Sequence, residues 1–166
     1  MTRAIALLLM LAPLTVGCGL TPMYAGGASG PVASSLAMIK VAPIPNRGGW
    51  LIRNALVDRL GGEPAAATHR LEVEVDDDIA GFGIRGDRSV TRERRTLRTR
   101  YRLVEIATGQ VVLDATAGSD AGIDVVSSPY ATVAAEQSAL ERLAKVVADQ
   151  MVARLALYAT RRPIGR

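Results

Sequence analysis

From Arg70 the chain alternates: Leu71, Val73 and Val75 fall on one side, and Glu72, Glu74 and Asp76 on the other. A period of two sends successive side chains to opposite faces, so this is a strand buried on one face only. The alternation returns from about Ser89 to Ile106, with Leu97, Tyr101 and Leu103 opposite Arg94, Arg98, Arg100 and Arg102. Thr108-Gly109 signals a tight hairpin, and Gln110 to Ala117 reads as a further strand with Val111, Leu113 and Ala115 on a common face. Leu36 to Ala42, an apolar run closed by Pro43 and Pro45, is expected to be the first strand. Gly81, Gly83 and Gly86 mark a turn region, and Gly and Asp dominate from the last strand to residue 124.

Two segments carry the helical period instead. Ile52, Ala55, Leu56, Arg59 and Leu60 recur at helical spacing in a helix that Asn46 can cap and Gly61-Gly62 stops. Gly48-Gly49 weakens the first turn, so regular helix is expected to begin nearer Trp50, itself expected in the core. Tyr130 to about Thr160 predicts a long helix whose stripe is Val133, Leu140, Leu143, Val147, Met151, Leu155 and Tyr158. The order is β-α-β-β-β-α. It predicts an α+β two-layer sandwich: a four-stranded mixed sheet with two helices on one face and a polar face outward. With 166 residues, 49% hydrophobic and 22% charged, the chain suits one ordinary domain and is too apolar for intrinsic disorder. That domain is expected over residues 36–160, with a frayed tail at 161–166.

The N-terminal segment has another character. Arg3 precedes an apolar stretch from Ala4 to Leu14, well short of the roughly 20 residues a spanning helix needs. It ends in Leu14-Thr15-Val16-Gly17-Cys18, with a small residue directly before a cysteine. This predicts a bacterial lipoprotein signal over residues 1–17, cleaved to leave a lipidated Cys18. Thr15 departs from the pattern, in which leucine usually stands three places before the cysteine. Cutting by ordinary signal peptidase is the alternative. Gly19 stands where aspartate commonly marks inner-membrane retention, which favours the outer membrane. Residues 18–35, rich in Gly, Pro, Ser and Ala without periodicity, read as the lipidated N-terminus and a flexible tether.

Little of the sequence suggests catalysis. One cysteine and one histidine, His69, exclude an intramolecular disulfide, a multi-cysteine metal site and any site needing two histidines. Gly81-Phe82-Gly83-Ile84-Arg85-Gly86 contains GxGxxG, but no helix follows it, and Asp76-Asp77-Asp78 lacks calcium-loop spacing. No enzyme activity, cofactor or metal is expected. The notable run is of eight arginines between Arg85 and Arg102, in a chain whose formal charge is only +4. Two readings are open: a phosphate or polyanion surface, or a solvated sheet face with charges paired across strands. Arg98, Arg100 and Arg102 are expected to pair with Glu72, Glu74 and Asp76. Arg85, Arg88 and Arg92, near the glycine-rich turn, are the candidates for an external ligand. Nucleic acid fits poorly, because aromatic stacking partners are scarce.

Three stretches resemble the LptE family of lipopolysaccharide-assembly lipoproteins. They are Cys18-Gly19-Leu20-Thr21-Pro22-Met23-Tyr24, the Arg53-Asn54-Ala55-Leu56-Val57-Asp58-Arg59-Leu60 segment, and Ser128-Pro129-Tyr130-Ala131 opening a helix that runs to Ala153-Arg154-Leu155-Ala156-Leu157-Tyr158. Leu20 stands where the family usually has Phe. The resemblance implies a non-enzymatic outer-membrane lipoprotein that plugs the β-barrel LptD, assists its assembly and contacts lipopolysaccharide in transit. Under that reading Arg85, Arg88 and Arg92, the basic residues at the hairpin end, are expected to meet lipid A phosphates. An accessory lipoprotein of an ABC-type envelope transport system, or a structural envelope-binding lipoprotein, are the competing readings.

Overall fold

The computed structural model describes residues 30–84, 90–162 and 164. Its elements are α1 (Pro31–Leu36), β1 (Ile39–Val41), α2 (Asn46–Leu60), β2 (His69–Ile84), β3 (Val90–Glu105), β4 (Val111–Asp124) and α3 (Pro129–Arg161). The sheet runs β1-β2-β3-β4 in space. β1 lies parallel to the start of β2, and the other two pairings are antiparallel, so the sheet is mixed as expected. The odd-numbered apolar residues of β2 and β3, Leu71, Val73, Leu97, Tyr101 and Leu103, are buried under the helices. There they meet Ile52, Leu56 and Leu60 of α2 and Leu140, Leu143, Val147, Met151 and Leu155 of α3. Each such side chain contributes about 1.5–3 kcal/mol when fully removed from water, and both helices therefore sit on one sheet face.

The long hairpin extends further than its composition suggests. β2 runs through Gly81 and Gly83 to Ile84, and β4 through Gly118 and Gly122 to Asp124. Residues placed in turns by their glycine and aspartate content are strand, because a glycine still offers its backbone N–H and C=O to the neighbour. Register keeps one offset from His69↔Glu105 to Ile84↔Val90, with Gly83, at φ +74°, as the one position skipped. The short hairpin forms as expected: Gly109 takes φ +72°, its N–H donates to the Glu105 carbonyl at 2.8 Å, and Thr108 Oγ1 donates to Glu105 Oε2 at 2.6 Å. One register shift lies at Leu103/Val104, where Leu103 pairs with Leu113 but Val104 with Val111. The extra residue, Val112, packs against the core, and Val111 is exposed instead of sharing a face with Leu113.

Other expectations need correction. The end of the stretch read as a tether is α1, with Pro31 suited to a first helical turn and Ser35 and Leu36 buried. Leu36 therefore closes a helix and does not open the first strand. Ile164, in the stretch expected to fray, is buried, and its carbonyl accepts from Ser35 Oγ at 3.4 Å. Asn46 does not cap α2: Pro45 is the cap residue, no side chain accepts there, and Asn46 itself has φ +67°. Gly48 and Gly49 are inside the helix and buried. A Cβ at Gly49 would stand 2.5 Å from Ile44 Cγ2 and 3.0 Å from its carbonyl carbon, so glycine permits a close approach rather than breaking the turn. That approach turns Gly49 and Ile52 inward and leaves Trp50 60% exposed. Val133 is likewise 49% exposed, and Thr132 and Ala139 take the buried positions of the first turns of α3.

Candidate functional site

The outer sheet face is a set of charged rows fixed by register. Glu72, Glu74 and Asp76 of β2 lie opposite Arg102, Arg100 and Arg98 of β3, which in turn face Asp114, Thr116 and Gly118 of β4. The expected opposition therefore holds, but pairing is selective. Arg102 Nη2 lies 3.3 Å from Glu74 Oε1 and 3.6 Å from Glu72 Oε2. Arg100 turns to the other neighbour and holds Asp114 with two hydrogen bonds, of 3.1 Å and 2.8 Å. That fork, with the guanidinium's charge, keeps the Asp114 carboxyl below its usual value and raises Arg100 in return. Arg98 has no carboxylate within 4.0 Å among the described residues.

Arg95 faces the other way, toward the helices. Its Nε and Nη2 donate to Asp77 at 2.8 Å and 2.6 Å, and Nη1 donates to the Glu136 carbonyl of α3 at 3.0 Å. The Asp77 bond raises Arg95 above its ordinary value, against the desolvation of a partly buried site. This arginine joins sheet to helix and is not available to a ligand.

Of the three candidate contact residues, Arg85 and Arg88 lie outside the described residues. Arg92 sits at the hairpin end, opposite Phe82 on one side and Asp124 on the other, and its Nε is 3.2 Å from Asp124 Oδ1. Both partners are well exposed. Such a pair is worth about 0–1 kcal/mol and yields readily to a competing anion. Arg94 lies beside it with its guanidinium carbon 5.3 Å from the Phe82 ring centroid. The hairpin end also carries apolar side chains that periodicity assigned elsewhere or passed over. Val126 and Val133 are exposed, and Tyr130 is 89% exposed, on the connection from β4 and the first turn of α3. The signal that could have found them is Pro129, which places Tyr130 in an initial turn with no preceding helix to pack it.

His69 is buried, hydrogen-bonded through Nδ1 to Thr68 Oγ1 at 3.0 Å, and depressed below 6.5 mainly by desolvation, with Glu105 opposing. Among the described residues, no group of three or more His, Cys, Asp or Glu could hold a metal ion. Among them, too, no helix is long and apolar enough to cross a membrane.

This geometry has known relatives. A candidate lipoprotein of Caulobacter crescentus CB15 matches with 28% identity and a TM-score of 0.67, over 81% of this chain and 99% of that one. A minor lipoprotein of Acinetobacter baumannii shares the fold at 11% identity, TM-score 0.61, over 74% of this chain and 92% of that one. The rare lipoprotein B of Shewanella oneidensis shares it at 8% identity, TM-score 0.59, over 74% and 95%. No curated protein matches the sequence. The model of the family described as LptE, lipopolysaccharide-assembly, matches residues 36–155, from the last residue of α1 deep into α3. The chain belongs to the LptE lipopolysaccharide-assembly family.

Proposed function

We propose that this chain is a non-enzymatic outer-membrane lipoprotein that occupies an LptD-type β-barrel, assists its assembly and contributes to moving lipopolysaccharide to the outer leaflet. The family match over residues 36–155 carries the reading. The anchor is Cys18, acylated after loss of residues 1–17. Two or three acyl chains, at about 0.8 kcal/mol per buried methylene, hold a protein on a bilayer far more firmly than one. A chain so anchored faces the periplasm or the barrel lumen.

Lipopolysaccharide is contacted at the hairpin end through Arg85, Arg88 and Arg92. Guanidinium groups suit lipid A phosphates, and exposed Phe82, Val126 and Tyr130 at the same end suit acyl or sugar surfaces. Replacing Arg85, Arg88 and Arg92 together with alanine is expected to weaken binding of purified protein to lipopolysaccharide about tenfold at low salt. Unchanged affinity at low and moderate salt would remove this assignment. Cys18→Ser is expected to abolish incorporation of radioactive palmitate, and persisting label would place the anchor elsewhere.

A further inference from the structure

We propose that the outer sheet face holds a binding site for a small zwitterion, an oxyanion and an ammonium group joined by a short linker. The site is a cleft of about 940 Å³ above the middle of the sheet, lined by Glu74, Asp76, Arg98, Gly118, Asp120 and Gln150 among others. It lies away from the hairpin end and stands whether or not that end binds lipopolysaccharide.

Arg98 is the centre of the site. Register sets it between Asp76 and Gly118, yet its side chain lies over Gly118. A Cβ on Gly118 would stand 2.6 Å from Arg98 Cδ and 2.9 Å from Nη1. Absence of that carbon lets the arginine lean toward β4 and away from Asp76. Its neighbours Arg95, Arg100 and Arg102 are all engaged with carboxylates. Among the described residues Arg98, Asp76 and Asp120 have no oppositely charged group within 4.0 Å. Gln150 reaches from α3 around the sheet edge, where its Oε1 accepts from the Gly118 N–H at 3.1 Å. One rim of the cleft is thereby fixed, and an edge donor is capped.

This charge pattern is selective. The Arg98 fork can take an oxyanion with two hydrogen bonds. A bare anion also meets the like charge of Glu74, Asp76 and Asp120, whereas an ammonium on the same ligand turns that repulsion into attraction. Asp120 lies diagonally across from Arg98, about 7–8 Å away along the sheet, a span the two flexible side chains and a short linker can bridge.

The test is an NMR titration of the isotope-labelled full chain in detergent micelles, following the Gly118 amide and the Arg98 Nε–H. O-phosphoethanolamine and β-alanine distinguish a phosphate from a carboxylate oxyanion, and inorganic phosphate and ethanolamine supply each charge alone. At least one zwitterion is expected to shift both signals saturably, with about threefold or greater preference over inorganic phosphate and over ethanolamine. Arg98→Gln should abolish the Gly118 shift, and Asp120→Asn should bring the zwitterion and inorganic phosphate within about twofold of each other. No saturable shift with either zwitterion overturns the proposal. So does equal binding of inorganic phosphate by the unsubstituted chain, or a response that survives Arg98→Gln.

Discussion

Single residues show how closely the α2 end of the molecule is packed. Gly49 faces Ile44 with no room for a methyl group, whereas nothing lies within 4 Å of a Cβ placed on Gly122. Gly49→Ala is therefore expected to destabilise the protein by about 1–3 kcal/mol, as overpacking usually does. Gly122→Ala is expected to be neutral or to stabilise by up to about 1 kcal/mol through the unfolded chain. Urea midpoints of the two variants check both, and equal midpoints would refute the close approach. His69 gives a pH signature. Its folded proton affinity is lowered from 6.5 by burial, so below that pH the unfolded state binds more protons than the folded one. Stability should fall as pH drops through about 6.5, and His69→Gln should lose less between about pH 7.5 and pH 5.5 than the unsubstituted chain. Trp50 shows where residue-level reading fails. It is expected in the core, but its direction is set by Gly49 and Ile52, which face inward beside it.

Elements are held by a few charged contacts whose value depends on burial. The Arg95–Asp77 pair lies between sheet and α3, with side chains only 13% and 24% exposed. Asp77→Asn should cost about 1.5–3 kcal/mol, because it weakens a charge-assisted fork and leaves Arg95 desolvated. Asp114→Asn, in the solvent-exposed pair with Arg100, should leave the urea midpoint unchanged, and a comparable loss there would contradict the distinction. The two layers and the strand faces were legible in the sequence, since Leu71, Val73, Leu97, Tyr101 and Leu103 alternate with charges that must face water. So was the opposition of Glu72, Glu74 and Asp76 to the arginine ladder. Which arginine pairs with which acid was not, because Asp114 and Gly118 of β4 decide it, and their alignment depends on the register shift at Leu103/Val104. The strand ends were also hidden: Gly81, Gly118 and Gly122 have turn composition, and only the neighbouring strand keeps them extended.

At the scale of the whole molecule, the sheet separates two ends. β1, the start of β2 and the end of α1 gather at one, where the Met38 carbonyl accepts from the N–H groups of Thr68 and His69. The β2–β3 hairpin forms the other, a 16-residue strand away, or roughly 50 Å. The proposed lipid attachment at Cys18 precedes α1, whose end lies at the first of these, and Arg92 lies at the other. Length and charge pattern suit a body that reaches from a membrane anchor into a polar barrel lumen. The most direct measurement is affinity purification of the tagged full-length chain from detergent-solubilised outer membranes of its host, followed by mass spectrometry. An LptD-type β-barrel is predicted to co-purify in equal amount and to stay bound at moderate salt. Recovery of the chain from the outer membrane without that barrel, or with a transport permease in its place, would contradict the account.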